Sequence, residues 1–213
     1  NWQIAACDIG QGDAVVVRQG ESYALVDVGP DPALLRRCLD RLSIHSIDLL
    51  VLTHYDLDHV GGLSAVLGQV SIALIGPAEN DRDQKMARTL TDSGADVRQA
   101  HQGDSGFLGD LPWQILWPRD GTDLRGNPAS ITIEFEGVIR SIFLGDLGEG
   151  AQRQVMMANH LSDVDVVKVA HHGSADQSEN FYRTISAEIG IVSVGADNRY
   201  GHPTDKLLDI LAR

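Results

Sequence analysis

Apolar positions change period repeatedly along this chain. Residues 2–9 (WQIAACDI), 14–19 (AVVVRQ) and 23–29 (YALVDVG) read as three short strands, split by GQGD and by a turn at Gly20. Residues 32–42 switch to helical spacing, with Leu34, Leu35, Cys38, Leu39 and Leu42 on one face. IDLLVLT (47–53) is a continuous apolar run, the mark of a strand buried on both faces. A helix over 60–69 (VGGLSAVLGQ), a strand over 71–76 and an amphipathic helix over 80–93, capped by Asn80 or Asp81, follow. Residues 94–112 are mixed, and WQILWP (113–118) is a strand. ITIEFEG and VIRSIFLGD form a hairpin turning at Glu136 and Gly137. The rest reads as helix 149–161, buried strand 164–170 (VDVVKVA), helix 181–188, strand 189–195 and helix 203–211. Strands alternating with helices, with hairpins at the start and middle, predict an α/β two-sheet sandwich flanked by helices. No internal linker breaks residues 1–213, which read as a single domain.

Composition agrees: 213 residues, 43% hydrophobic, can bury a sizeable core. No apolar run approaches the ~18–20 residues of a membrane span. The chain opens inside a predicted strand, as a domain cut from a longer protein would. A net charge of −13 argues against broad attraction to nucleic acid. It leaves phosphate substrates open, because bound cations invert the local potential. Cys7 and Cys38 form no CxxC motif and read as small buried apolar residues rather than a disulfide or a ligand pair.

The chemistry concentrates in LLVLTHYDLDHVGG. His54, Asp56, Asp58 and His59 fall directly after a buried strand, which holds the following loop rigidly. Imidazole and carboxylate ligands together suit Zn, Mn or Fe. GQGD (10–13) is balanced between a plain hairpin turn and a segment lining the site. KVAHHGS carries His171 and His172 at a strand end, and RYGHPT carries His202 after the next strand. His45, His101 and His160 stand apart and read as surface residues.

THYDLDHVGG resembles the HxHxDH signature of the metallo-β-lactamase superfamily, with Asp56 in place of the middle histidine. The resemblance covers essentially the whole chain and implies an αββα four-layer sandwich. It implies that Asp27 orients the metal-binding loop and that Asp146, in SIFLGDLG, bridges two metals. Where the superfamily usually has a histidine before the hairpin, this chain has Asn127 or Ser130. Together with Asp56, that shifts preference toward Mn²⁺ or Mg²⁺ and away from Zn²⁺. His171 and His202 compete as the last ligand. His172, His202, Asp56 and Asp58 are the catalytic candidates, and Ser174 and Lys168 the candidate phosphate contacts.

Five motifs in order narrow the resemblance: DIGQGDAVVV, THYDLDHVGG, N-P-A-S-I, KVAHHGS and a terminal YGHP. Together they look like the metallo-β-lactamase-like domain of the ComEC family of competence DNA-uptake channels. The resemblance implies a nuclease that uses one or two divalent ions and degrades the strand not taken up. It implies DNA and a flanking membrane channel region as partners, no small organic cofactor, and a place on the extracytoplasmic face. Two rivals are a small-molecule metallohydrolase (ester, thioester or lactam) and a binding module with a degenerate metal site.

Overall fold

The computed structural model describes residues 2–212. Its first sheet takes β1 (Ile4–Ala6), β2 (Val15–Gln19), β3 (Ser22–Val26), β4 (Ile47–Leu52), β5 (Val70–Ile75) and β6 (Asp96–Gln99), in that order. The second takes β7 (Ser105–Leu108), β8 (Leu111–Trp117), β9 (Thr132–Glu136), β10 (Arg140–Phe143), β11 (Val166–Lys168) and β12 (Ile189–Ile191), again in sequence order. β3 to β6 run parallel, as do β10 to β12, while the other neighbours pair antiparallel.

Three apolar clusters separate four layers, as expected. Val15, Val17, Leu49 and Val51 meet Trp113, Ile115, Ile133 and Phe135 between the sheets. Val16, Leu50 and Leu52 face the other way, onto α1 (Pro32–Arg41) and α3 (Asp81–Asp92) through Leu35, Leu39 and Leu90. The far face of the second sheet packs on α4 (Glu149–Ala158), α5 (Glu179–Ile185) and α6 (Asp205–Leu211) through Val155, Phe181 and Leu207. This explains the unbroken run in β4: both faces are covered, so neither needs polar residues.

Most elements fall where the periodicity put them, with some ends trimmed. Asn80 caps α3 through its side chain, which accepts from the Arg82 and Asp83 N–H groups. Two expectations fail. The helix over 60–69 is instead a short α2 (Leu57–Val60) and a 3-10 turn (Leu63–Ala65). Gly61 and Gly62 are pressed so tightly onto the preceding loop that a Cβ would lie 2.4 Å from the Pro30 carbonyl and 2.0 Å from that of Val28. That contact sets the path, and helical periodicity cannot report it.

Cys7 and Cys38 are not isolated apolar residues but a disulfide, with Cα atoms 5.7 Å apart across 31 residues of sequence. Cys7 follows β1, and α1 folds back over the first sheet to bring Cys38 to it.

The parallel strands aim their carboxyl ends at one place. Asp27 follows β3, His54 follows β4, Asp146 follows β10, and the two adjacent histidines follow β11. Crevices outside the carboxyl ends of strands are where such sheets bind ligands.

Candidate metal centre

Four buried polar atoms converge here with no hydrogen-bond partner: Nε2 of His54, His59 and His172, and Oδ1 of Asp146. Leaving such atoms unpaired costs about 1–3 kcal/mol each. His59 Nε2 lies 3.3 Å from Asp146 Oδ1, while His54 and His172 Nε2 lie 3.9 and 3.6 Å from Asp146 Oδ2. Two ligands at ~2.1 Å from a shared ion stand roughly 3–3.5 Å apart, so these gaps fit cations better than hydrogen bonds. The residues present therefore fit divalent metal. His54, His59 and Asp146 form one three-ligand group, and Asp58, His59 and His172 another.

Each histidine is held by its other nitrogen. His54 Nδ1 lies 3.1 Å from the Thr53 hydroxyl, and His59 Nδ1 2.8 Å from Asp27. His172 Nδ1 lies 3.0 Å from the Ser193 carbonyl oxygen. Fixing Nδ1 aims Nε2 inward, the usual arrangement around a metal. Asp27 also accepts from the Thr53 N–H at 2.8 Å and from the Thr53 hydroxyl at 2.8 Å. It thus ties β3 to the start of the HYDLDH loop.

Backbone strain marks the same residues. Asp27, His171 and His172 all adopt left-handed conformations, with φ of 59°, 47° and 52°. Non-glycine residues there cost on the order of 1–3 kcal/mol each and cluster at functional sites.

Charge follows from the packing. Burial pushes the Asp146 carboxyl up, but His59, His172 and His54 outweigh it and hold it well below the usual carboxylate range. Burial likewise opposes protonation of His59, yet Asp146 and Asp27 raise it well above its ordinary value. Burial also works against His172, but Asp13, Asp58 and Asp146 raise it to about 9. Without an ion, then, the carboxylates favour the protonated forms of His59 and His172. A metal must displace those protons to bind.

The sequence candidates divide into those brought together and those set apart. His54, Asp58, His59 and Asp146 meet in the cluster. Asp56 joins at its rim, 3.6 Å from His54 Nε2, and its carboxylate makes no capping hydrogen bond. His172, read from sequence as a catalytic group, is buried within the cluster, 2% exposed and 3.2 Å from Asp58. His171 is one-third exposed and lies 3.8 Å from Asp146. His202 stands behind it, with ring centroids 5.8 Å apart. Burial first, then His171 and His172, push the His202 imidazole below its ordinary value.

Ser130 Oγ accepts the Asp146 N–H at 3.2 Å and so steadies the bridging candidate. Asn127 contributes through its carbonyl to the 3-10 turn (Asn127–Ala129) that delivers Ser130. Lys168 does not face the cleft. Its ammonium is buried on Asp13 at 2.7 Å and on the Val169 carbonyl at 2.9 Å, so the expected phosphate contact is replaced by an ion pair. The Ser174 hydroxyl is also turned inward and accepts from Gln177. His45 and His160 are exposed, as expected, and His101 pairs loosely with Asp120 elsewhere.

One site residue was underrated in the sequence. Asp13 of GQGD is buried 3.4 Å from His172 Nδ1. Burial pushes its carboxyl up, but Lys168 and then His172 hold it at about 2. Gly12 packs so closely on α2 that a Cβ would meet the Asp58 carbonyl at 2.1 Å, and the Asp13 N–H donates to that same carbonyl. GQGD is therefore both a turn and a wall of the site. The Gly-x-Gly-Asp pattern was visible in the sequence, but its partner Lys168, 155 residues away, was not.

The comparisons agree with this geometry. A family profile described as the Metallo-beta-lactamase superfamily matches residues 7–181. ComE operon protein 3 of Bacillus subtilis is 28% identical, across 99% of this chain and 30% of that protein. Competence protein ComA of Neisseria gonorrhoeae is 27% identical, across 95% of this chain and 28% of that protein. The chain thus spans less than a third of either relative's length. Among solved structures, the metallo-beta-lactamase fold protein YhfI of Bacillus subtilis superposes with a TM-score of 0.64 over 98% of this chain and 92% of that one, at 12% identity.

Proposed function

Because the chain belongs to the metallo-beta-lactamase superfamily, we propose that its metal centre is that of a phosphodiesterase cutting DNA during natural transformation. The observation that carries the metal chemistry is the convergence of the four unpartnered buried atoms. What points to DNA is the pair of relatives, one of them named as a competence protein.

Asp58, His59 and His172 would hold one ion, and His54, Asp56 and Asp146 would hold a second, with Asp146 within reach of both. The mixed set of imidazole and carboxylate supports Mn²⁺, with Mg²⁺ and Zn²⁺ as the other candidates. When bound, such ions lower the pKa of water and neutralise charge on a reacting phosphate. The protein's part is orientation. Asp27, Thr53 and the Ser193 carbonyl fix the three buried imidazoles before substrate arrives. His171 is the exposed member of its pair, and we assign it the proton transfer to the leaving oxygen.

The strand degraded would be the one not taken up, on the extracytoplasmic face. The disulfide supports that placement, because such bonds persist in oxidising compartments. Among the described residues no helix is long and apolar enough to cross a membrane. A channel region would lie in the two-thirds and more of the relatives' length that this chain does not span.

Substrate class is tested by assaying the purified chain on single-stranded DNA, bis-p-nitrophenyl phosphate, nitrocefin and a thioester. Hydrolysis of the two phosphodiesters alone is the expected result. Turnover of nitrocefin or the thioester, with both phosphodiesters intact, would move the assignment to a small-molecule hydrolase.

A further inference from the structure

We propose that Tyr200, stacked on His202, is a platform for an unpaired nucleobase next to the metal centre. The substrate class is therefore single-stranded nucleic acid. The inference rests on the phosphodiesterase reading and adds to it where the strand lies.

Tyr200 is 71% exposed, an unusual place for so large a ring. Its ring stacks on His202 with centroids 5.7 Å apart and planes 27° apart. His202 in turn meets His171 edge-on at 5.8 Å, and His171 reaches Asp146 at 3.8 Å. A continuous ladder of rings thus runs from solvent to the metal-holding carboxylate. Its outer rung has one face against His202 and is otherwise largely open.

The loop that presents this ring is fastened on both sides. The Asn198 side chain donates to the Gly195 and His202 carbonyls at 3.1 and 2.9 Å, and accepts the His202 N–H at 3.1 Å. Gly195 donates its N–H to Gln11 Oε1 at 3.0 Å, and the Ser193 hydroxyl donates to the Gly12 carbonyl. The loop is thereby tied to GQGD, the wall beneath Asp58. Gly201, at φ +71°, makes the turn after Tyr200. A ring presented on a fastened loop pays less ordering entropy when a flat ligand lands on it.

Every nucleobase offers a flat π-face, and stacking on protein aromatics is the usual way to hold single strands without reading sequence. Bases in a duplex are already stacked on their neighbours, so only an unpaired one can land on this ring. Arg199 is exposed beside Tyr200 and can meet the adjoining phosphate. These local features give an acidic chain a way to hold DNA that does not depend on its net charge.

The test reads binding separately from cleavage. Fluorescence anisotropy would follow a labelled phosphorothioate oligothymidylate, which resists cleavage, in Mn²⁺. Tyr200→Ala should weaken binding about tenfold, within a range of roughly five- to a hundredfold. Tyr200→Phe and Tyr200→Trp should restore it. An oligonucleotide of abasic residues should bind the native chain as weakly as oligothymidylate binds the alanine variant. Equal affinity of native and alanine chains, or no binding by the native chain, overturns the platform. Tyrosine-dependent binding without cleavage of ordinary DNA would keep the platform and sink the hydrolase reading, whereas cleavage indifferent to Tyr200 would do the reverse.

Discussion

The Asp146→Ala variant is expected to lose phosphodiester hydrolysis by roughly a thousandfold or more while remaining folded. A metal's polarising effect is worth several kcal/mol, and each ~1.4 kcal/mol is a factor of ten in rate. Asp146 is the group that all the buried imidazoles share, lying 3.3 to 3.9 Å from His59, His172 and His54. Removing it takes a ligand from both proposed ions. The protonated imidazoles that Asp146 now balances would lose a partner, so some stability should go as well. Asp146→Asn keeps the shape and one oxygen, which separates loss of charge from loss of packing. Bound metal by mass spectrometry, thermal unfolding and kcat/KM are read on the same samples. An alanine variant that keeps its full metal content and the native rate would remove Asp146 from the site.

The second large effect concerns stability. Cys38→Ser should lower the unfolding free energy by about 3–4 kcal/mol, the loop-entropy value for a closure of this span. At roughly 2–4 °C per kcal/mol in a chain of this size, the melting temperature should fall by about 6–16 °C. Calorimetry of the native chain with and without dithiothreitol should show the same gap. Because Cys7 opens the segment that ends at Asp13 and donates its N–H to the Ala14 carbonyl, the loss should be felt next to the site. A shift under about 1 kcal/mol in both experiments would contradict this stabilisation.

Much of this architecture was legible in the chain because it depends on short-range pattern. The run in β4 marks a strand covered on both faces, and the potential ligands directly after it include His54, Asp58 and His59 of the buried cluster. What stayed hidden needs contacts between distant segments. Cys7 and Cys38 carry no spacing that reports their meeting, which α1 arranges by packing across the first sheet. Lys168 reads from sequence as a phosphate contact although it lies within a buried strand; its partner is Asp13, from the other end of the chain. Which of His171 and His172 is buried depends on two consecutive left-handed residues, with His172 inward and His171 at the surface. Gly61 and Gly62 were visible as glycines, but the carbonyls of Val28 and Pro30 that require them were not.

The most direct test of a metal-driven phosphodiesterase is to strip the native chain with EDTA and titrate Mn²⁺ back. Cleavage of a single-stranded oligonucleotide and the ions bound per chain are followed together. Rates that rise in step with occupancy, and level off at one or two ions per chain, are the predicted result. Cleavage that persists in EDTA, or ions bound with no cleavage at any occupancy, would contradict it.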